Sequence, residues 1–151
     1  MQTCTKSIGA LTFLFLALSA SAQSSTDFTG HWRQETNSSV QRQLEIEHNR
    51  KSLVVKTIST NSQGTRRLEV KYEIGGPPTT YTGLDGDEFR SSVRWDNEAL
   101  VFETIEHEDG SEIPQKAVWT LSEDRNTLRA ERDVTKSGKT THSSTTYTRQ
   151  P

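Results

Sequence analysis

The stretch Leu68-Glu69-Val70-Lys71-Tyr72-Glu73-Ile74 alternates apolar and charged residues without a break. In an extended chain successive side chains point to opposite faces, so Leu68, Val70, Tyr72 and Ile74 share one face and Glu69, Lys71 and Glu73 the other. The pattern predicts a strand buried on one side only. The same period recurs outward in both directions. Upstream, Leu44 and Ile46 alternate with Gln43, Glu45 and Glu47. Downstream, Phe89, Val93 and Trp95 share one parity, as do Leu100 with Phe102, then Ala117, Trp119 and Leu121, and finally Leu128, Ala130 and Val134. A helix would need apolar residues three and four apart over ten or more positions, and no segment after residue 22 has them.

Turn residues fall between these runs. Asp85-Gly86 and Asp109-Gly110 are strong hairpin signals, because glycine supplies the positive φ that tight turns demand. Gly75-Gly76-Pro77-Pro78 must be a loop, since proline cannot donate to a sheet ladder. The expected strands run over 28–36, 40–48, 52–60, 66–74, 79–83, 87–95, 98–107, 113–122, 126–135 and 139–149. Short links between successive strands imply an all-β, antiparallel up-and-down meander of about 8–10 strands. A sheet with one apolar face can bury it by curling into a barrel, which also removes its exposed edges. A two-sheet sandwich is the competing solution.

The first 22 residues differ in kind. Lys6 is their only charge, and it precedes an apolar run from Ile8 to Leu18 that ends in Ala20-Ser21-Ala22. This is the pattern of a secretory signal peptide, with cleavage expected between Ala22 and Gln23 and a periplasmic or secreted destination. The run is shorter than the roughly 20 residues a membrane span requires. Removing 22 of 151 residues leaves 129, enough for one domain, 23–151. That domain loses Lys6 and so carries a net charge of −3 rather than −2. It also loses Cys4, the only cysteine, so neither disulfides nor thiol chemistry are available to it. About a quarter of it is apolar, a thin supply for a core. Small net charge and regular periodicity nevertheless argue for folding over disorder. With a pI near 6.1 and no basic run, nucleic acid is not an expected partner.

One cluster is more specific. Phe28-Thr29-Gly30-His31-Trp32 places a glycine inside a strand, where it often marks close backbone approach. This opening resembles the G-x-W signature of the calycin superfamily, which includes lipocalins and fatty-acid-binding proteins. The closing stretch Thr146-Tyr147-Thr148-Arg149 is similar to the terminal Tyr-x-Arg of small ligand-binding barrels. Arg94 to Phe102 (RWDNEALVF) and Val118 to Leu128 (VWTLSEDRNTL) resemble exported bacterial lipocalin-like domains. The resemblance implies a lipocalin-like barrel in which Trp32 plugs one end, Gly30 makes room and Arg149 packs across the Trp ring as a cation–π contact. Only about four residues separate the first two expected strands, so the helical pair of fatty-acid-binding proteins has no room.

Ligand contacts are expected on the inward parity. Ser91, Thr104 and Arg132 share faces with Phe89, Phe102 and Ala130, and a guanidinium there suits a ligand carboxylate. Arg132 could equally extend outward where its strand leaves the core. His31, His48, His107 and His142 fall on different strands without metal-ligand spacing, and Glu106-His107-Glu108-Asp109 falls at a turn. No nucleophile elbow, P-loop or dinucleotide fingerprint occurs, so neither an enzyme nor a cofactor is expected. Asn37-Ser38-Ser39 fits a glycosylation sequon. Two functions fit: a barrel holding a small apolar or amphipathic molecule in its lumen, or an interaction module with a filled core that binds another protein. They separate on cavity volume, since ligand sites enclose about 300–1,000 Å³.

Overall fold

A computed structural model describes residues 26–36 and 38–151. The signal segment with its cleavage point, and Asn37 of the sequon, lie outside the described residues. The strands are β1 (Gly30–Gln34), β2 (Gln41–His48), β3 (Ser52–Asn61), β4 (Gly64–Glu73), β5 (Thr79–Thr82), β6 (Glu88–Asp96), β7 (Ala99–Glu108), β8 (Ser111–Leu121), β9 (Thr127–Lys136) and β10 (Lys139–Gln150). No helix occurs among the described residues, those between β1 and β2 included. The links are tight because their residues accept left-handed backbone. Asp109 and Gly110 turn at φ 49° and 78°, Ser137 and Gly138 at 53° and 75°.

All ten strands lie in one sheet in the order β4-β3-β2-β1-β10-β9-β8-β7-β6-β5. The first and last strands therefore meet: Trp32 pairs with Arg149 and Gln34 with Tyr147. This pairing curls the meander into a nearly closed barrel and rules out two separate sheets. The sequence expectation fails at one link. β4 and β5 are consecutive and adjacent but share no ladder, so the barrel has a seam there. The loop between them contains Pro77 and Pro78, which cannot continue a ladder. Single bonds lace the seam instead: Gly75 N donates to Val93 O at 2.7 Å and Thr79 Oγ1 to Lys71 O at 3.1 Å. Aromatic rings bridge it from inside. Tyr72 meets Tyr81 edge-on at 6.2 Å and Phe102 at 5.7 Å.

The alternating apolar residues point inward and form one core that includes Trp32, Leu44, Ile46, Leu53, Val70, Tyr72, Leu100, Phe102 and Leu128. Val101 is buried as well, although parity turns it outward. Arg94 and Val118 flank it in the ladder and cover it.

Candidate ligand-binding cavity

The two ends of the barrel are built differently. At one end Phe28, Trp32, Leu53, Val93, Leu100 and Leu128 fill the interior with scarcely any exposure. The Trp32 indole donates to Phe28 O at 3.0 Å, and the Arg149 guanidinium carbon lies 4.3 Å over the Trp ring. Arg149 also donates to the carbonyls of Thr29 and Arg125, so it fastens three segments around the indole. Gly30 is what admits it: a Cβ there would stand 2.5 Å from Arg149 Nη1, and the backbone φ is +143°. His48, whose role the sequence did not suggest, completes this end. Its Nδ1 lies 3.2 Å from Asp27 Oδ1 and its ring meets Trp95 at 5.6 Å. Burial pushes the Asp27 carboxyl pKa up, but hydrogen bonds from Thr29 and from His48 outweigh it and the net shift is downward.

Toward the other end the interior is open. A cavity of about 460 Å³ occupies it, inside the range typical of ligand sites. Leu44, Val55, Val70, Phe89, Phe102 and Trp119 supply its apolar wall. The residues singled out in sequence all line this one space: Ser91, Thr104, Phe89 and Phe102 deeper in, and Arg132 at the mouth, where it is exposed. Arg132 is held by a neighbour. Its Nε and Nη2 donate to Gln115 Oε1 at 3.1 and 2.6 Å, and the Gln115 amide donates in turn to Glu106.

Sequence reasoning passed over Arg42, although the signal was there. Arg42 shares the parity of Leu44 and Ile46 on β2, so it also lines the cavity. It lies beside the Tyr147 hydroxyl. Burial raises that hydroxyl's pKa, and the Arg42 charge partly offsets the rise. Two guanidinium groups thus border a space whose wall is part apolar and part polar, an arrangement suited to an anionic head on an apolar body.

An acidic group stands at the same rim. Carboxylate oxygens of Asp85, Asp87 and Glu106 lie within 4.8 Å of one another. Lost hydration, then the Asp85 charge, raises the pKa of Asp87. Burial and Asp85 do the same for Glu106, with Arg132 pulling the other way. The four histidines stay apart, on β1, β2, β7 and β10.

Among solved structures, one described as "REP1-NXSQ fatty acid transporter" matches with a TM-score of 0.63 and 13% identity, over 82% of this chain and 96% of that one. The fold is a calycin-like barrel. Secretory abundant heat soluble protein 4 from Ramazzottius varieornatus matches at 0.60 and 14%, over 82% and 94%. Zebrafish ileal bile acid-binding protein, complexed with cholic acid, matches at 0.57 and 12%, over 82% and 98%. At such identities the shared property is the fold. No protein-family profile matches the sequence, and no curated protein matches it.

Proposed function

We propose that this calycin-like barrel is an exported binding protein, not an enzyme, that holds a small amphipathic acid in its lumen. The observation that carries the reading is the cavity: about 460 Å³ of space with a cluster of apolar side chains on its wall and two arginines, Arg42 and Arg132, at its border. The apolar body of the ligand lies against Leu44, Val70, Phe89, Phe102 and Trp119, where removal from water drives binding. Its carboxylate lies at the mouth and draws Arg132 from Gln115, exchanging a neutral acceptor for a charged one. Two structural neighbours are a fatty acid transporter and a bile acid-binding protein complexed with cholic acid, and cargo of this kind is theirs. A filled barrel acting as a protein-interaction module is the rival, and the open volume weighs against it.

Displacement of a fluorescent fatty-acid analogue by hexadecanoic acid and by hexadecanol tests the reading. The acid binds more tightly than the alcohol. Losing a charge-assisted hydrogen bond costs about 1.5–3 kcal/mol, so Arg132→Gln weakens the acid by roughly ten- to a hundredfold and the alcohol far less. Equal affinity for both, unchanged in the variant, removes Arg132 from the site. Binding of neither returns the weight to the interaction module. Export is read separately, by N-terminal sequencing of the protein recovered outside the cytoplasm. The expected first residue is Gln23, and a retained Met1 contradicts it.

A further inference from the structure

Three hydroxyls form a continuous row on the cavity wall, beside Tyr72, Phe89 and Phe102 on one side and Gln115 on the other. Tyr81 Oη lies 3.2 Å from Ser91 Oγ, which lies 2.7 Å from Thr104 Oγ1. Ser91 is almost wholly buried at 1% exposure, while Tyr81 and Thr104 on either side are partly accessible, and all three line the cavity. β-sheet register sets the row. Thr104 stands opposite Ser91 on β6 and opposite Gln115 on β8, and Tyr81 on β5 sits two residues along from the position facing Ser91. Closing the seam between β4 and β5 needs aromatic contact, which Tyr81 makes edge-on with Tyr72 while stacking on Phe89 of β6 at 5.5 Å. A phenylalanine would stack equally well, so packing does not account for the Tyr81 hydroxyl.

Proton counting shows what the row has to offer. Each hydroxyl carries one proton and two lone pairs. Three hydroxyls joined by two links use two protons, so one proton is left over, on Thr104, on Tyr81 or on Ser91 according to which atoms donate. Tyr81 and Thr104, the accessible members, therefore present unused lone pairs to the lumen, and in two of the three arrangements one of them presents a proton as well. A plain methylene chain packed there strips them of water and returns no hydrogen bond. An uncharged oxygen on the ligand answers them.

We propose that Tyr81, Ser91 and Thr104 form a second polar subsite, which selects amphipathic acids bearing a hydroxyl or carbonyl oxygen partway along the apolar body. Tyr81 and Thr104 touch that oxygen, and Ser91 positions both. The inference rests on the lumen-binding reading above. Thr104 and Ser91 lie two and three strands round the wall from Arg132, and neighbouring strands are about 4.8 Å apart. Measured between backbones round the wall, the subsite is thus roughly 10–15 Å from Arg132, the reach of a mid-chain carbon from a carboxylate that has drawn the guanidinium off Gln115 to the mouth.

Competitive displacement by stearic acid and by 12-hydroxystearic acid tests it on the protein from Gln23 onward. The added hydroxyl makes the second acid the more water-loving, so a bare apolar lumen prefers stearic acid. The subsite reverses that order, with 12-hydroxystearic acid bound about three- to tenfold more tightly. In Thr104→Val and in Tyr81→Phe, each checked for native circular dichroism, the ratio falls toward one or inverts. Either variant suffices if the other fails to fold. Stearic acid bound as tightly as 12-hydroxystearic acid by the unsubstituted protein overturns the subsite and leaves the lumen reading standing. So does a preference that survives in the folded variants. Binding of neither acid overturns the lumen reading and the subsite with it.

Discussion

The closed and open ends of this barrel are made by the same strands with the same alternation, yet one is packed and the other hollow. The difference lies in what occupies the inward parity. On β6 and β7, Val93, Trp95 and Leu100 fill the closed end, while Ser91 and Thr104 follow on the same strands toward the open one. On β9, Leu128 gives way to Ala130 and then Arg132. Large apolar residues meet across the barrel and exclude water; small or polar ones leave a space between them. The chain thus packs Phe28, Trp32, Leu53, Leu100 and Leu128 into a plug that holds the fold, while Phe89, Phe102 and Trp119 stand among smaller and polar residues in the other half and leave it hollow.

Substitution at the plug should break the molecule. Trp32→Ala removes a buried indole, its hydrogen bond to Phe28 O and the surface on which Arg149 rests. It costs about 3–5 kcal/mol, the range for truncating a large buried aromatic. A urea midpoint equal to that of the unsubstituted protein would contradict the assignment of Trp32 as the plug. Gly30→Ala follows, at about 1–3 kcal/mol, because the new Cβ collides with Arg149 and the backbone sits at φ +143°. The double variant Gly30→Ala, Arg149→Ala relieves the collision but not the backbone strain. Its cost should therefore be less than the sum of the two single substitutions in a double-mutant cycle.

At the open end the sign changes. Arg132→Gln shifts stability by less than about 0.5 kcal/mol, as expected of an exposed residue, even though it weakens acid binding. Asp85→Asn should raise Tm slightly, on the order of 1 °C, by removing a charge that faces Asp87 and Glu106. The carboxyls of Asp87 and Glu106 have raised pKa values in the folded state. Their contribution to stability is therefore full below the ordinary carboxyl range and is lost as pH rises through the raised values. The gain from Asp85→Asn accordingly appears near neutral pH and fades below about pH 4. Asp27, at the closed end, behaves oppositely. Its lowered pKa gives stability that is present above the ordinary range and lost as pH falls.

Strand positions and facing were legible because a period of two is a local property. The stretch from Leu68 to Ile74 and the Asp-Gly turns state it without reference to the rest of the chain. Val101 escaped because its burial comes from neighbours on the outer face, which parity does not record. The seam escaped because it depends on where β5 falls in the closed circuit, and Pro77-Pro78 announces a loop without saying which ladder is lost. His48 escaped because its partners, Asp27 and Trp95, are brought to it only by closure. The inward set on β6, β7 and β9 was readable in advance, and the same rule applied to β2 would have given Arg42. The arrangement of Ser91, Thr104 and Tyr81 as a row was not readable, since it requires the register of three strands.

The most direct test of the account is whether the hollow end is where a ligand goes. Ala130 lines the cavity, and Ala130→Phe places a ring in that space without touching the plug. Native mass spectrometry of the protein from Gln23 onward, stripped of lipid and titrated with hexadecanoic acid, should show a single one-to-one adduct. The folded Ala130→Phe variant should lose most of it. No adduct on the unsubstituted protein, or an adduct undiminished in the filled variant, would contradict a binding site in the lumen.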